Sequence, residues 1–190
     1  MRVISGIAKG RKLKTPQGFD IRPTSSIVKE SIFNILQFDI EGRRILDLYA
    51  GTGQLGVEAL SRGAGSVVFV DSSPEAVKLI KENVELCGFL DSCDIIRRDA
   101  IDFLERSGTF DIIFVDPPYD AALTESTIKK IIEFDKLNEN GIMLCETRAD
   151  SITPVVSTPY GIHKEYIYGK VKISRFIRKA NESQGIGNRE

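Results

Sequence analysis

Short apolar runs alternate with amphipathic stretches from about residue 43 onward. The runs are rich in Val, Ile and Phe, which favour strands. They predict strands at residues 45–49, 67–71, 110–115 and 141–146, and a further strand, third in chain order, that begins with residues 94–96. Helical patterns lie between them, at residues 55–61, 74–87, 101–106 and 124–134. Because the strands are apolar almost throughout, this alternation predicts a parallel sheet that helices cover on both faces.

Both ends of the chain depart from this rhythm. Residues 163–168 and 171–177 predict an antiparallel hairpin, because Gly169-Lys170 between them fits a two-residue turn. Residues 3–5 and 11–14 predict a small basic hairpin, and residues 27–36 have helical spacing. We therefore expect three parts, which are a basic extension (1–20), a main domain (21–179) and a frayed polar tail (180–190).

The most informative stretch is Asp116-Pro117-Pro118-Tyr119, which directly follows the predicted strand 110–115. Proline has no N–H and a fixed φ, so two prolines end the strand abruptly. They leave a carboxylate, rigid backbone carbonyls and an aromatic ring at the carboxyl end of a strand, where open α/β sheets bind their ligands. Acceptors beside a stacking surface suit a flat substrate that carries an NH2 group. A strand-ending turn with an aspartate cap and a core tyrosine is the alternative.

A glycine loop follows the first predicted strand, where Gly51, Gly53 and Gly56 match G-x-G-x-x-G between a strand and a helix. Asp71 ends the next strand, where a carboxylate can accept hydrogen bonds from both hydroxyls of a ribose. A dinucleotide and S-adenosylmethionine both fit these features. Asp47 favours the second, because a carboxylate is unfavourable near a pyrophosphate and favourable near a cationic amino acid end. An aspartate that only caps the loop is the alternative.

A further carboxylate, Asp99, ends the third strand and precedes Ala100. Asp99 can accept a hydrogen bond from an adenine amino group while the Ala100 N–H donates to the ring, and it can also cap the helix that follows. Asp47, Asp71, Asp99 and Asp116 all lie at strand ends, so a parallel sheet brings them to one edge. This constellation is more specific than any one of its motifs.

Charge and composition narrow the class of protein. The net charge of −1 conceals basic ends, because residues 1–30 and 161–190 each carry seven Lys and Arg against two and three acidic residues. Such ends indicate a polyanionic partner. The chain has neither a membrane-length apolar run nor a secretion signal, so we expect a cytoplasmic protein. Three cysteines without C-x-x-C spacing (Cys87, Cys93, Cys145) indicate free thiols rather than a zinc site with His163.

Several motifs together resemble one enzyme family. They are MRVISG at residues 1–6, GRKL at 10–13, RPT at 22–24, ESIFNIL at 30–36, DLYAGTG at 47–53 and YGK at 168–170. With Asp71, Asp99 and the tetrapeptide at 116–119, residues 1–178 resemble the RsmD-type methyltransferases. These class I enzymes use S-adenosylmethionine to methylate the N2 atom of a guanine in small-subunit (16S) ribosomal RNA. Gln54 departs from the family's pattern, in which serine or alanine precedes the helix.

The resemblance implies a fold and a set of site residues. The fold is α/β and Rossmann-like, with a mostly parallel seven-stranded sheet, helices on both faces, a terminal antiparallel hairpin and a small N-terminal β-hairpin extension. The implied catalytic residues are Asp116, Pro117, Pro118 and Tyr119. The implied cofactor-binding residues are Asp47, Tyr49, Ala50, Gly51, Thr52, Gly53, Asp71, Ser72, Asp99, Ala100 and Asp116. The implied RNA-binding residues are Arg2, Lys9, Arg11, Lys12, Arg22 and Lys170. We expect a monomer that needs no metal or membrane and acts on 16S rRNA or the assembling small subunit.

Other functions share parts of this pattern. Methyltransferases that act on adenine N6 or on a glutamine amide use the same kind of tetrapeptide, although the basic N-terminal hairpin disfavours a protein substrate. An NAD-dependent oxidoreductase would use the glycine loop, but Asp47 and the lone His163 without an acid–base partner argue against it. A catalytically inactive RNA-binding module would keep the basic ends without needing the full set of motifs.

Overall fold

The computed structural model of the protein describes residues 1–16, 26–118 and 121–180. Its strands are β1 (Arg44–Leu48), β2 (Ser66–Asp71), β3 (Cys93–Arg97), β4 (Phe110–Val115), β5 (Leu137–Arg148), β6 (Tyr160–Tyr168) and β7 (Val171–Arg178). Its helices are α1 (Ser26–Ile35), α2 (Gln54–Ser61), α3 (Pro74–Cys87), α4 (Ala100–Arg106) and α5 (Ala121–Glu133), with a 3₁₀ turn at Leu90–Ser92. Arg22, Tyr119 and all but the first residue of the predicted tail lie outside the described residues.

The strands of the described chain form one seven-stranded sheet in the order β3-β2-β1-β4-β5-β7-β6. β1 to β5 run parallel, whereas β7 pairs antiparallel with both β5 and β6. The predicted parallel sheet with a terminal antiparallel hairpin is therefore confirmed. Gly169 has a φ of 61°, as the first central position of a II′ turn requires. The strand order reverses between β1 and β4, and a ligand site is expected beyond the carboxyl ends of these strands.

Successive strand residues enter two apolar cores, one on each face of the sheet. Ile45 and Phe69 belong to the first core, with α1, α2, α3 and residues from the chain's start. Leu46 and Val68 belong to the second, with α4 and α5. The glycine at position 56 lets α2 approach the sheet closely, because a Cβ there would lie 2.2 Å from the Phe69 ring. Burial on both faces explains why the strands read as continuous apolar runs.

The N-terminal segment, residues 1–16, turns back on itself as predicted, but its strand pairing is limited to one bridge between Arg2 and Lys12. The backbone N–H groups of Ile4 and Ser5 donate to the buried Glu58 carboxylate, at 2.7 and 2.9 Å, instead of to a partner strand. Three of its apolar side chains are buried in the first core, namely Val3, Ala8 and Leu13. The segment thus turns back on itself and packs against α2.

β5 is longer than its apolar run predicted. It begins at Leu137, which pairs with Phe110, and the ladder then shifts register before Ile142 pairs with Ile112. The extra residues are mostly polar, so the apolar pattern does not reveal them, and the register shift accommodates them as a bulge. α5 likewise begins earlier, at Ala121 rather than residue 124. No helix of the described residues is long and apolar enough to cross a membrane.

Candidate active site

All four predicted carboxylates lie at the carboxyl edge of the parallel strands, although β3 ends at Arg97 and Asp99 lies two residues beyond it. Leu48 of β1 pairs with Val70 of β2 and Val115 of β4, so Asp71 and Asp116 follow at the same level of the sheet. Both carboxylates raise the pKa of the Asp47 carboxyl through charge repulsion. The predicted convergence at one edge is therefore what the strand register produces.

Asp47 lies beneath the glycine loop with 2% of its surface exposed. Its Oδ2 accepts a 2.9 Å hydrogen bond from the Gly56 N–H in the first turn of α2. Its pKa is raised to about 8, chiefly by burial and also by the charges of Asp116 and Asp71, while the Gly56 hydrogen bond acts in the opposite direction. The side chain therefore secures the loop to the helix, as the simpler alternative predicted. It is also a buried carboxyl that a nearby cation would ionise.

The glycine loop is hydrogen-bonded to the side chain of Asp71. The Gly51 N–H donates to Asp71 Oδ2 and the Ser73 N–H to Asp71 Oδ1, both at 2.9 Å. An ionised carboxylate offers about four acceptor positions, so these two bonds orient it and leave two for other donors. Gly53 has a φ of 73°, which a residue with a side chain rarely adopts, and it directly precedes α2. The local geometry thus presents an oriented carboxylate that can accept from a pair of hydroxyls.

A cavity of about 1030 Å³ opens beside this loop. Its lining comes from Gly51, Thr52 and Asp71, from Lys14, Thr15 and Pro16 of the N-terminal segment, and from six residues between 73 and 82, which are Ser73 and five residues of α3. Its described lining does not include the other predicted cofactor residues, which are Asp47, Tyr49, Ala50, Gly53, Ser72, Asp99, Ala100 and Asp116. The cavity therefore covers the loop and ribose side of the predicted site, while the adenine and acceptor sides lie beyond it along the sheet edge.

Tyr49 has a φ of 62°, an uncommon conformation for a residue with a side chain. Its hydroxyl is 2.6 Å from the Thr127 hydroxyl on α5, so the phenol ties the start of the loop to that helix. Burial raises the Tyr49 pKa. Ala50 continues the loop inward, and its N–H donates to the Val70 carbonyl at 3.0 Å. The strained backbone at this point turns the chain from β1 into the glycine loop.

Asp99 caps α4, as predicted. Its Oδ1 accepts from the N–H groups of Ile101 and Asp102, at 2.8 and 3.3 Å. Its side chain is exposed, whereas Ala100 is buried. Ser72 is exposed as well, on the loop that follows β2. Adenine binding by these residues stays a prediction, since one carboxylate can cap a helix and still accept from a ligand.

After β4, Asp116 is half-buried, Pro117 buried and Pro118 exposed. Asp116 lines a small recess together with Ile32 of α1 and Glu146 of β5. The sequence reasoning missed Glu146, a buried carboxyl at the same sheet edge. The sequence does mark Glu146, because it is an acidic residue at the end of the apolar run 141–146, just as Asp71 ends the run 67–71.

The described basic residues of the predicted RNA surface are all exposed, namely Arg2, Lys9, Arg11, Lys12 and Lys170. Lys170 lies in the β6–β7 turn, beside the pair Arg148–Val171 that ends β5, and so at the carboxyl edge of the sheet. The guanidinium of Arg11 donates to the Leu86 carbonyl of α3 at 3.0 Å. In the described residues, no group of three or more His, Cys, Asp or Glu side chains is arranged to hold a metal ion.

Comparisons with known proteins cover almost the whole chain. Residues 1–177 match the family described as "Conserved hypothetical protein 95". The Escherichia coli protein "Ribosomal RNA small subunit methyltransferase D" is 33% identical over 182 residues, which cover 95% of this chain and 91% of that protein. Bacillus subtilis YlbH is 41% identical over 183 residues, which cover 94% of this chain and 100% of YlbH. The solved structure of Escherichia coli yhhF matches with a TM-score of 0.85 at 31% identity, over 95% of this chain and 98% of that one.

Proposed function

The chain belongs to the RsmD family, and we propose that it transfers a methyl group from S-adenosylmethionine to the N2 amine of a guanine in 16S ribosomal RNA. The observation that carries the proposal is the shared sheet edge. There Asp71 and the glycine loop adjoin a large cavity, and Asp116 with its two prolines follows the neighbouring strand β4. A cofactor site and an amine-accepting turn are thereby neighbours at the point where the strand order reverses.

The residues present fit S-adenosylmethionine. Asp71 keeps two acceptor positions for ribose hydroxyls, and the loop glycines leave the backbone open to a ligand. Asp47 supplies a buried carboxyl that the cationic amino acid end would ionise and pair with. Asp99 and Ala100 complete the proposed set on the adenine side. When bound, this cofactor supplies an electrophilic methyl group on its sulfonium.

The acceptor side is proposed to activate a poor nucleophile. The lone pair of the guanine N2 amine is delocalised into the ring, so acceptors beside its N–H bonds help to localise it and stabilise the positive charge that develops. We assign this role to the Asp116 carboxylate and the Pro117 carbonyl. Tyr119 stacks on the extruded base, a contact typically worth about 1–3 kcal/mol. Pro118 keeps the turn rigid, so that positioning contributes to the rate.

The basic surface is proposed to hold the RNA. Arg2, Lys9 and Lys12 are exposed on the N-terminal segment, and Lys170 is exposed at the carboxyl edge. Such side chains contact phosphates and give affinity that falls with salt, while the chosen base is read at the active site. The substrate is thus a ribosomal RNA or an assembling small subunit in the cytoplasm.

The test is mass mapping of 16S rRNA from a strain that lacks this gene. The expected result is the absence of one methyl group from a guanine, restored by the wild-type gene and not by an Asp116→Ala variant. An unchanged modification profile would refute the proposal. Loss of a methyl group from an adenine instead would establish the alternative of adenine-N6 methylation, which the tetrapeptide alone does not exclude.

A further inference from the structure

The side chain of Asn83 connects two of the chain segments that line the cavity beside the glycine loop. Asn83 lies on α3 and is completely buried. Its Oδ1 accepts from the Lys14 N–H at 2.7 Å, and its Nδ2 donates to the Lys14 carbonyl at 3.1 Å. The same Nδ2 donates to the Thr52 carbonyl at 2.9 Å. One amide group thus bonds the N-terminal segment on one side and the glycine loop on the other.

Both bonded partners belong to the cavity lining. Lys14, Thr15 and Pro16 are the part of the lining that the N-terminal segment contributes, and Thr52 and Gly51 are the part that the glycine loop contributes. Among the described residues, the other polar contacts between this end of the segment and α3 are at the surface, namely a 3.1 Å ion pair between Lys14 and Glu82 and the bond from Arg11 to Leu86. Exposed ion pairs contribute little, whereas breaking a buried hydrogen bond leaves polar groups unsatisfied. Asn83 is therefore the main polar attachment of this part of the lining.

We infer that Asn83 is a positioning residue for the cofactor, which docks the N-terminal segment against the glycine loop and so forms part of the lining of the cofactor pocket. This role rests on the proposed use of S-adenosylmethionine. The segment that presents Arg2, Lys9 and Lys12 on its exposed side is thereby also part of the cofactor site. No sequence motif marks Asn83, because it is one polar residue within a helical pattern.

Two variants separate hydrogen bonding from packing. Asn83→Ala removes all three hydrogen bonds. Asn83→Asp keeps the volume and the acceptor for the Lys14 N–H, but it loses both donors and places a carboxylate against two carbonyls. Ile131→Val is the matched control, since it lightly destabilises the protein from a buried position in the second core, away from the cavity.

The first measurements are calorimetric titration with S-adenosylmethionine and native trypsin digestion, with mass spectrometry of cleavage after Arg11, Lys12 and Lys14. Both Asn83 variants should bind the cofactor about tenfold more weakly and be cleaved at these bonds about tenfold faster. Ile131→Val should stay within about twofold of wild type in both measurements. With RNA substrate, the cofactor KM should rise while kcat changes little.

Wild-type cofactor affinity in Asn83→Ala, or unchanged cleavage, would overturn the inference. Wild-type cofactor affinity and cleavage in Asn83→Asp would also overturn the inference, because the side-chain volume without the two donated hydrogen bonds would then be enough to position the segment. Hydrogen exchange of the wild-type protein tests the same role without a variant. A peptide that covers residues 11–16 should gain protection when S-adenosylmethionine is added, and no gain would count against it. The calorimetric and trypsin assays contain no RNA, so a result that refuted the guanine assignment would not affect the conclusion about Asn83.

Discussion

Replacing Asp47 with asparagine should make the apoprotein more stable at neutral pH and weaken its cofactor binding. Asparagine keeps an oxygen that accepts the Gly56 N–H, but it cannot ionise. Burial, with Asp116 and Asp71 nearby, raises the Asp47 pKa from 3.8 to about 8. Because the folded-state pKa lies above the unfolded value, stability that is complete below pH 4 is lost as pH rises towards 8.

The size of this effect follows from the pKa shift. Each pH unit between the two pKa values changes the free energy of unfolding by about 1.4 kcal/mol for one group. Wild type should therefore lose up to about 4 kcal/mol between pH 4 and pH 7 through this carboxyl alone. Asp47→Asn should not suffer this loss, so the difference in stability between variant and wild type should grow by the same amount over that range, whatever its value at pH 4.

Urea denaturation at a series of pH values measures the stability difference, with equal m values as the check that unfolding is comparable. Calorimetry adds a second readout. With a pKa of about 8, Asp47 is about 90% protonated at pH 7 in the apoprotein. A cofactor cation that ionises it should therefore release close to one additional proton in wild type, measured in buffers of different ionisation enthalpy. Parallel stability curves for the two proteins between pH 4 and 8, or equal proton release, would refute the reasoning.

Four further predictions, which use five substitutions, test other parts of the structure. Asp116→Ala should lower methyl transfer about 1,000-fold while the Kd for S-adenosylmethionine changes by less than about threefold, and wild-type turnover would exclude the assigned role. Glu58→Gln should lower the free energy of unfolding, measured by urea denaturation, by about 3 kcal/mol, because Glu58 is fully buried and its Oε2 lies 3.4 Å from the Nζ of buried Lys29. A loss below about 0.5 kcal/mol would contradict this. Gly56→Ala should lower the free energy of unfolding by about 1–3 kcal/mol, since the added Cβ would lie 2.2 Å from the Phe69 ring of β2. An unchanged melting temperature would count against the close packing of α2 on the sheet. Lys12→Ala and Lys170→Ala should each weaken RNA binding without changing cofactor affinity and should reduce the salt slope by about one; an unchanged slope would place those lysines outside the RNA surface.

Local patterns predicted most of the fold. Ser73, Pro74 and Gly88 mark the two ends of α3 as expected, because capping depends on residues within one turn of the helix end. The five central strands appear where their apolar runs lie, and the glycine turn at 169 closes the terminal hairpin. The extension of β5 to Leu137 was not predicted, since its added residues are mostly polar and pair through the backbone. The sequence predicted a small basic hairpin at the chain's start but not that this segment would pack on α2.

The candidate site likewise has one part that the sequence predicted and another that it did not. Asp47, Asp71 and Asp116 could be placed together from the sequence because strand ends in a parallel sheet share one edge, and this needs only the order of strands along the chain. The buried hydrogen bonds that hold the site together could not be predicted from the sequence. Glu58 bonds Ile4 and Ser5 across more than 50 positions, and Asn83 bonds Lys14 across 69. Hydrophobic periodicity reports which face of an element is buried, but it carries no information about which distant backbone a buried polar side chain meets. Those partners exist only when the sheet and its helices have been assembled, so the tertiary structure alone decided them.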